Sequence, residues 1–147
     1  MAKQVLFLCT GNYYRSRFAE ILFNTLARER GLDWVADSRG LAVGSDPSII
    51  GAISRYALDG LAARGITPTN HERMPRALCK ADLEQAHRVI ALNRVEHLPH
   101  LEKQFPAWVE RVEYWNAPDL DEMSAEDALA EIELQVRALI EELALQS

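Results

Sequence analysis

Between the apolar run Val5-Leu6-Phe7-Leu8 and a segment carrying Phe18, Leu22 and Leu26 lies Cys9-Thr10-Gly11-Asn12-Tyr13-Tyr14-Arg15-Ser16. A cysteine and an arginine with five residues between them have a specific use in such a place. Backbone N–H groups of a short loop entering a helix can converge on one point, and the helix dipole adds positive potential there, so an oxyanion is held without a metal ion. Cys9 would form the floor of that cradle and Arg15 its rim. The same field favours thiolate over thiol. A thiolate beneath a bound phosphate stands in line with phosphorus.

The residues from Thr10 to Ser16 suit this cradle. Gly11 lets backbone approach an anion closely, and Asn12 tolerates the positive φ that inward-turned N–H groups demand. Ser16 offers a hydroxyl to the Cys9 sulfur. Arg15 carries the planar fork that matches two phosphate oxygens, which a lysine lacks. Tyr13 and Tyr14 read either as core aromatics or as pocket walls. At least one is expected at the rim, where a ring face favours a flat, aromatic leaving group.

Positioning such a loop requires a buried strand before it and a helix after it. Gln4–Leu8 carries four consecutive apolar residues without alternation, as expected of a central parallel strand covered on both faces. Ser16–Arg30 has apolar positions at helical spacing, with Gly31 as a stop. Further along, Trp34–Ser38 reads as a strand, Ser54–Arg64 as a helix ended by Gly65, and Val89–Leu92 as a third strand. Asn93 caps a helix running towards Phe105 before Pro106, and Val109–Trp115 reads as the fourth strand. From Ser124, with Asp127 three residues on, a helix carries Leu129, Ile132, Val136, Leu139, Ile140 and Leu143 on one stripe. This alternation predicts an α/β fold: one domain over residues 1–147, a doubly wound four-stranded parallel sheet with helices on both faces. Ligands of such sheets sit beyond the carboxyl ends of the strands, where Cys9 lies.

The 147 residues suffice for one proper core. A formal net charge of −6 argues against nucleic-acid or anionic-membrane partners, so an anion site needs local positive potential, here from Arg15 and Arg17. Two cysteines, no signal-like start and no apolar run near the length of a membrane span lead us to expect a soluble cytoplasmic protein. The four histidines, His71, His87, His97 and His100, are scattered and no Cys-x2-Cys pair occurs, so neither metal nor cofactor is expected. Oligomeric state is not legible.

Val5 to Phe23, VLFLCTGNYYRSRFAEILF, resembles the opening of the low-molecular-weight protein tyrosine phosphatases, whose signature is close to CTGNxCRSxxAE. Thiol-dependent arsenate reductases share that fold. Weaker similarity continues at Asp37-Ser38-Arg39-Gly40, Arg76-Ala77-Leu78 and Asp82-Leu83. The resemblance implies hydrolysis of a phosphate monoester, phosphotyrosine or another aryl phosphate, on a phosphorylated protein or small ester, through a cysteinyl-phosphate on Cys9. Pro118-Asp119 resembles the position of the family's catalytic aspartate, so Asp119 is the expected general acid, with Asp121 and Glu122 as alternatives in the same acidic turn. The chain departs from the pattern at Arg17, where the family has proline, at Asp119-Leu120-Asp121, which lacks the tyrosines, and at Ile49 and Ile50, where the family has an aromatic wall. His71 is not at the family's His-x-x-Arg distance from Arg76 and receives no role. Cys79 reads as a buried structural thiol, or as the resolving thiol that an arsenate reductase requires. A third alternative is a phosphate- or phosphoprotein-binding module without turnover.

Overall fold

The computed structural model describes residues 2–68, 70–119 and 123–146. Strand β1 (Lys3–Cys9) is central, and its alternating side chains feed two separate cores. Val5 and Phe7 enter one, with Phe18, Leu22, Leu61, Ile132 and Val136. Leu6 and Leu8 enter the other, with Leu83, Val89, Leu101 and Val112. A strand buried on both faces cannot alternate in polarity, which is why its sequence is a continuous apolar run.

Strands β2 (Trp34–Gly40), β3 (Arg88–Ala91) and β4 (Glu113–Tyr114) complete a parallel sheet of order β2-β1-β3-β4. Helices α1 (Arg15–Glu29), α2 (Arg55–Ala63) and α5 (Ala125–Gln146) cover the first face. The second is covered by α3 (Lys80–Gln85), α4 (Arg94–Gln104) and a 3₁₀ turn at Pro106–Arg111. The expected doubly wound α/β architecture is therefore present. On the side of β2 away from β1 the Asn24 carboxamide takes the Ala36 N–H at 2.8 Å and donates to the Ala36 carbonyl at 3.1 Å. Among the described residues no helix is long and apolar enough to cross a membrane.

Two expectations need correction. Val109–Trp115 is not one strand: only Glu113 and Tyr114 pair with β3, and the preceding residues form the 3₁₀ turn. Pro106 presets the first helical φ, Val112 N–H bonds the Trp108 carbonyl at 3.2 Å, and the Arg111 guanidinium stacks on the Trp108 ring at 4.6 Å. Helix α3 was not foreseen. Its six residues are too few to show periodicity.

Candidate active site

Parallel strands place the ends of β1, β3 and β4 on one side of the sheet, and the loop from Cys9 to Ser16 is built there. Asn12 holds its shape. The residue sits at φ +51° and is fully buried. Its Nδ2 donates to Ser16 Oγ and to Ser38 Oγ, both at 2.9 Å. Its Oδ1 accepts from the Arg76 N–H at 3.0 Å and from Arg73 Nη1 at 3.1 Å. Ser16 Oγ also lies 2.9 Å from Cys9 Sγ. Because that oxygen already accepts from Asn12, its own hydrogen is left for the sulfur. A Cβ at Gly11 would stand 2.8 Å from Ile49 Cδ1, the end of a side chain that would have to swing aside.

Arg15 opens α1 and is 2% exposed. Its Nη2 meets Glu96 Oε2 at 2.6 Å and its Nη1 donates to Glu96 Oε1 and to the Ala117 carbonyl, both at 3.0 Å. Asp119 Oδ2 is 3.6 Å from Nη2. Glu96 also accepts from the Thr10 hydroxyl and from His97 Nε2, the latter at 3.1 Å. Burial alone would raise the Glu96 carboxyl, but the hydrogen bonds from His97, Arg15 and Thr10 outweigh it and hold the group well below the carboxylate range. Burial, reinforced by the positive charge of Arg15 and opposed by Glu96, holds His97 below its ordinary value and so favours the neutral ring. His97 Nδ1 accepts the Asn93 N–H at 3.0 Å, so the ring proton sits on Nε2. Arg15 remains a cation: burial opposes the charge, and Glu96 more than restores it.

A cavity of about 260 Å³ opens onto Cys9, bounded by Gly11, Tyr13, Tyr14, Arg15 and Asp119. Ile49, Tyr56, Asp46 and Arg55 complete its walls. A hollow of about 740 Å³ lies behind the loop, against Glu20, Asp37, Arg73 and Arg76, and contains none of Cys9, Arg15 or Asp119. The larger space is thus remote from the thiol, and the smaller one is the candidate site. Both tyrosines expected as core or wall are walls here. Tyr14 is also buried, donates to the Ala125 carbonyl at 3.3 Å, and has its phenol pushed up to about 12 by burial. Tyr13 donates to the Ile50 carbonyl at 2.8 Å. Ile49 reaches the cavity, whereas Ile50 is 79% exposed.

Two site expectations change. Arg17 does not enrich the cradle: it is fully buried behind the loop, donating to the Arg73 carbonyl at 2.7 Å and the Asn70 carbonyl at 2.6 Å. Cys79 is exposed, not buried, and its thiol donates to Asp82 Oδ2 at 3.2 Å. Asp121 and Glu122, the alternative acids, lie outside the described residues, while Asp119 faces the cavity. Glu96 was missed altogether. The available signal was its place in the first turn of the helix that follows β3, on the same side of the sheet as Cys9.

The family model described as low molecular weight phosphotyrosine protein phosphatase matches residues 4–147. A protein-arginine-phosphatase of Bacillus subtilis (strain 168) is 30% identical over 146 residues, covering 97% of this chain and 92% of that protein. The crystal structure of a low molecular weight protein tyrosine phosphatase from T. tengcongensis superposes with TM-score 0.76 at 27% identity, covering 99% of this chain and all of the other. An arginine phosphatase structure, a mutant with a phosphorylated active-site serine, shares the fold at TM-score 0.72 and 23% identity, covering 97% of this chain and 94% of its own. With the signature loop folded around Cys9 and the match running through almost the whole chain, this protein belongs to the low-molecular-weight protein tyrosine phosphatase family of hydrolases.

Proposed function

We propose that the chain dephosphorylates protein side chains in two steps at Cys9, with phosphotyrosine as the leading substrate class. The Cys9 thiolate attacks phosphorus, an S–P bond forms, and the P–O bond to the phenol breaks as Asp119 delivers a proton to the leaving oxygen. Water then attacks the cysteinyl-phosphate, the Asp119 carboxylate takes its proton, and phosphate leaves with the thiolate restored. Loop N–H groups from Thr10 to Ser16 and the Arg15 fork hold the equatorial oxygens. Ser16 steadies the sulfur as nucleophile and as leaving group. The observation that carries this reading is a buried thiol, hydrogen-bonded to Ser16, on the floor of a cavity walled by Arg15, Asp119 and three tyrosines.

A second substrate class, phosphoarginine, is favoured by a separate feature. Asp46 and Asp119 both face the cavity and would attract a cationic guanidinium leaving group. The Bacillus subtilis relative carries that activity in its name. The resolving-thiol reaction finds less support, since Cys79, the other cysteine, lines no wall of the cavity. Phosphate release in EDTA should be measured from p-nitrophenyl phosphate, then from phosphotyrosine and phosphoarginine peptides at equal concentration. Turnover of the aryl phosphates is expected. Preference for the phosphoarginine peptide would transfer the assignment to the second class. Phosphate binding without release from any of them would overturn the hydrolase reading for this chain.

A further inference from the structure

An arginine has five N–H donors, and those of Arg15 can be accounted for individually. Nη1 spends both on Glu96 Oε1 and the Ala117 carbonyl. Nη2 spends one on Glu96 Oε2. Nε, although buried, has no hydrogen-bond partner among the described residues. What remains is the Nε hydrogen and the second Nη2 hydrogen, which lie side by side on one edge of the planar group. That edge is a complete bidentate fork. Nη2 is also the nitrogen nearest Asp119, which lines the cavity, while Nη1 points to the buried Ala117 carbonyl.

We propose that Glu96 is the positioning residue of the phosphate site: it grips Arg15 end-on and so presents the Nε–Nη2 edge to the phosphoryl group. The inference rests on the phosphatase reading of the cavity. An opposite role is conceivable on charge alone, with Glu96 as an anion occupying the place of the phosphate. The hydrogen bonds argue against it. Glu96 is fixed by four donors from three other residues, Thr10, His97 and Arg15. Swinging out would leave the fully buried His97 ring N–H with the Thr10 hydroxyl alone, at 3.2 Å, and would take an acceptor from each end of the guanidinium. A carboxylate so fully saturated is a fixture, and the donors it leaves on Arg15 are those a phosphate needs.

Local sequence arranges this. Glu96 is the third residue of α4, where a carboxylate ordinarily folds back onto the N–H of the capping residue. Here His97 Nδ1 takes the Asn93 N–H instead. Asn93 still caps the helix, its Oδ1 accepting from the Val95 N–H at 3.1 Å. Glu96 is thereby released to reach across to the loop.

The test uses Glu96→Ala and Glu96→Gln, each alone and combined with Arg15→Lys. Calorimetry gives the Kd for inorganic phosphate, and p-nitrophenyl phosphate gives kcat and KM. Removing an anion from the site should tighten phosphate binding if charge alone governs. A positioning role requires the reverse: weaker phosphate binding, a kcat loss on the order of 10²-fold from the misplaced fork, and partial rescue in Glu96→Gln. In the Arg15→Lys background the Glu96 substitutions should cost little more, because there is no fork left to orient. Phosphate binding as tight as wild type or tighter, in either single variant, overturns the proposal, as does a loss that adds in full to that of Arg15→Lys. If Glu96→Ala does not fold, Glu96→Gln decides. Wild-type protein that binds phosphate without turnover would defeat the phosphatase reading and leave the binding comparison intact.

Discussion

Asp119 approaches Arg15 Nη2 at 3.6 Å with half of its side chain exposed, which is where a group must stand if it is to meet both a leaving oxygen and an incoming water. Asp119→Ala should therefore lose on the order of 10²–10⁴ in rate for esters with poor leaving groups and much less for activated ones. The alkaline limb of its kcat/KM profile should flatten. Equal losses for both kinds of ester would show that Asp119 is not the proton donor. Glu96 makes a different prediction, about stability. Its carboxyl lies below the ordinary value of 4.5 in the folded chain, so its ionised form favours folding above that value and the benefit fades as pH falls. The stability difference between wild type and Glu96→Gln in urea should be fully present at pH 7 and shrink steadily below about pH 4.5. A difference that stayed constant into acid would mean that the charge on Glu96 does not matter. The clustering of Cys9, Asn12, Arg15 and Ser16 was legible because it is local, fixed by spacing within eight residues. Glu96 was not, since a glutamate three places after an asparagine reads as part of a helix cap, and only the folded chain shows His97 replacing it in that duty.

The elements that hold the loop were legible where each was long enough to display a period. Helices α1, α4 and α5 fall within a residue or two of the expected ranges, and Ser54 caps α2 by accepting from the Tyr56 N–H at 3.1 Å. Strand β4 was misjudged in length because Trp108, Val109 and Val112 are apolar in either conformation, and a six-residue 3₁₀ turn satisfies them against the second core. The end of β2 has a tighter relation to the site than its sequence suggests. A Cβ on Gly40 would stand 2.9 Å from the Thr10 carbonyl oxygen, 3.1 Å from Asn12 Cβ and 2.5 Å from Val43 Cγ2. Strand and loop are in backbone contact there, and a methyl group has to push the loop. Gly40→Ala should cost about 1–3 kcal/mol in urea unfolding, and kcat/KM should fall in the molecules that remain folded. Unchanged kinetics would mean that the cradle tolerates displacement from below.

Across the whole molecule, the charges that matter most to stability are out of sight. Glu20, 4% exposed, serves two guanidiniums: Arg73 Nη2 at 3.0 Å and Arg17 Nε at 3.5 Å, with Ser38 Oγ donating to the same oxygen at 2.5 Å. Arg73 in turn reaches Asn12, and Arg17 ties down the carbonyls of Asn70 and Arg73. One carboxylate thus joins α1, β2, the segment after α2 and the back of the loop from Cys9 to Ser16. Glu20→Ala leaves the buried Arg17 without its ion-pair partner and Arg73 with Asp37 alone, at 3.6 Å, and should cost about 3–5 kcal/mol, to be read from the urea midpoint at pH 7. A cost below 1 kcal/mol would show that water replaces the carboxylate. Arg17 stands where the family pattern has proline, and the carbonyls it bonds lie 53 and 56 residues along the chain, which is why spacing alone assigned it to the cradle. The same economy of single side chains appears at the margin of β2. By offering one acceptor and one donor to Ala36, the Asn24 amide imitates the peptide group of a neighbouring strand. A second copy of the chain arriving edge-on finds those two places already taken, so the zippering of molecules into an endless sheet is denied its first rung.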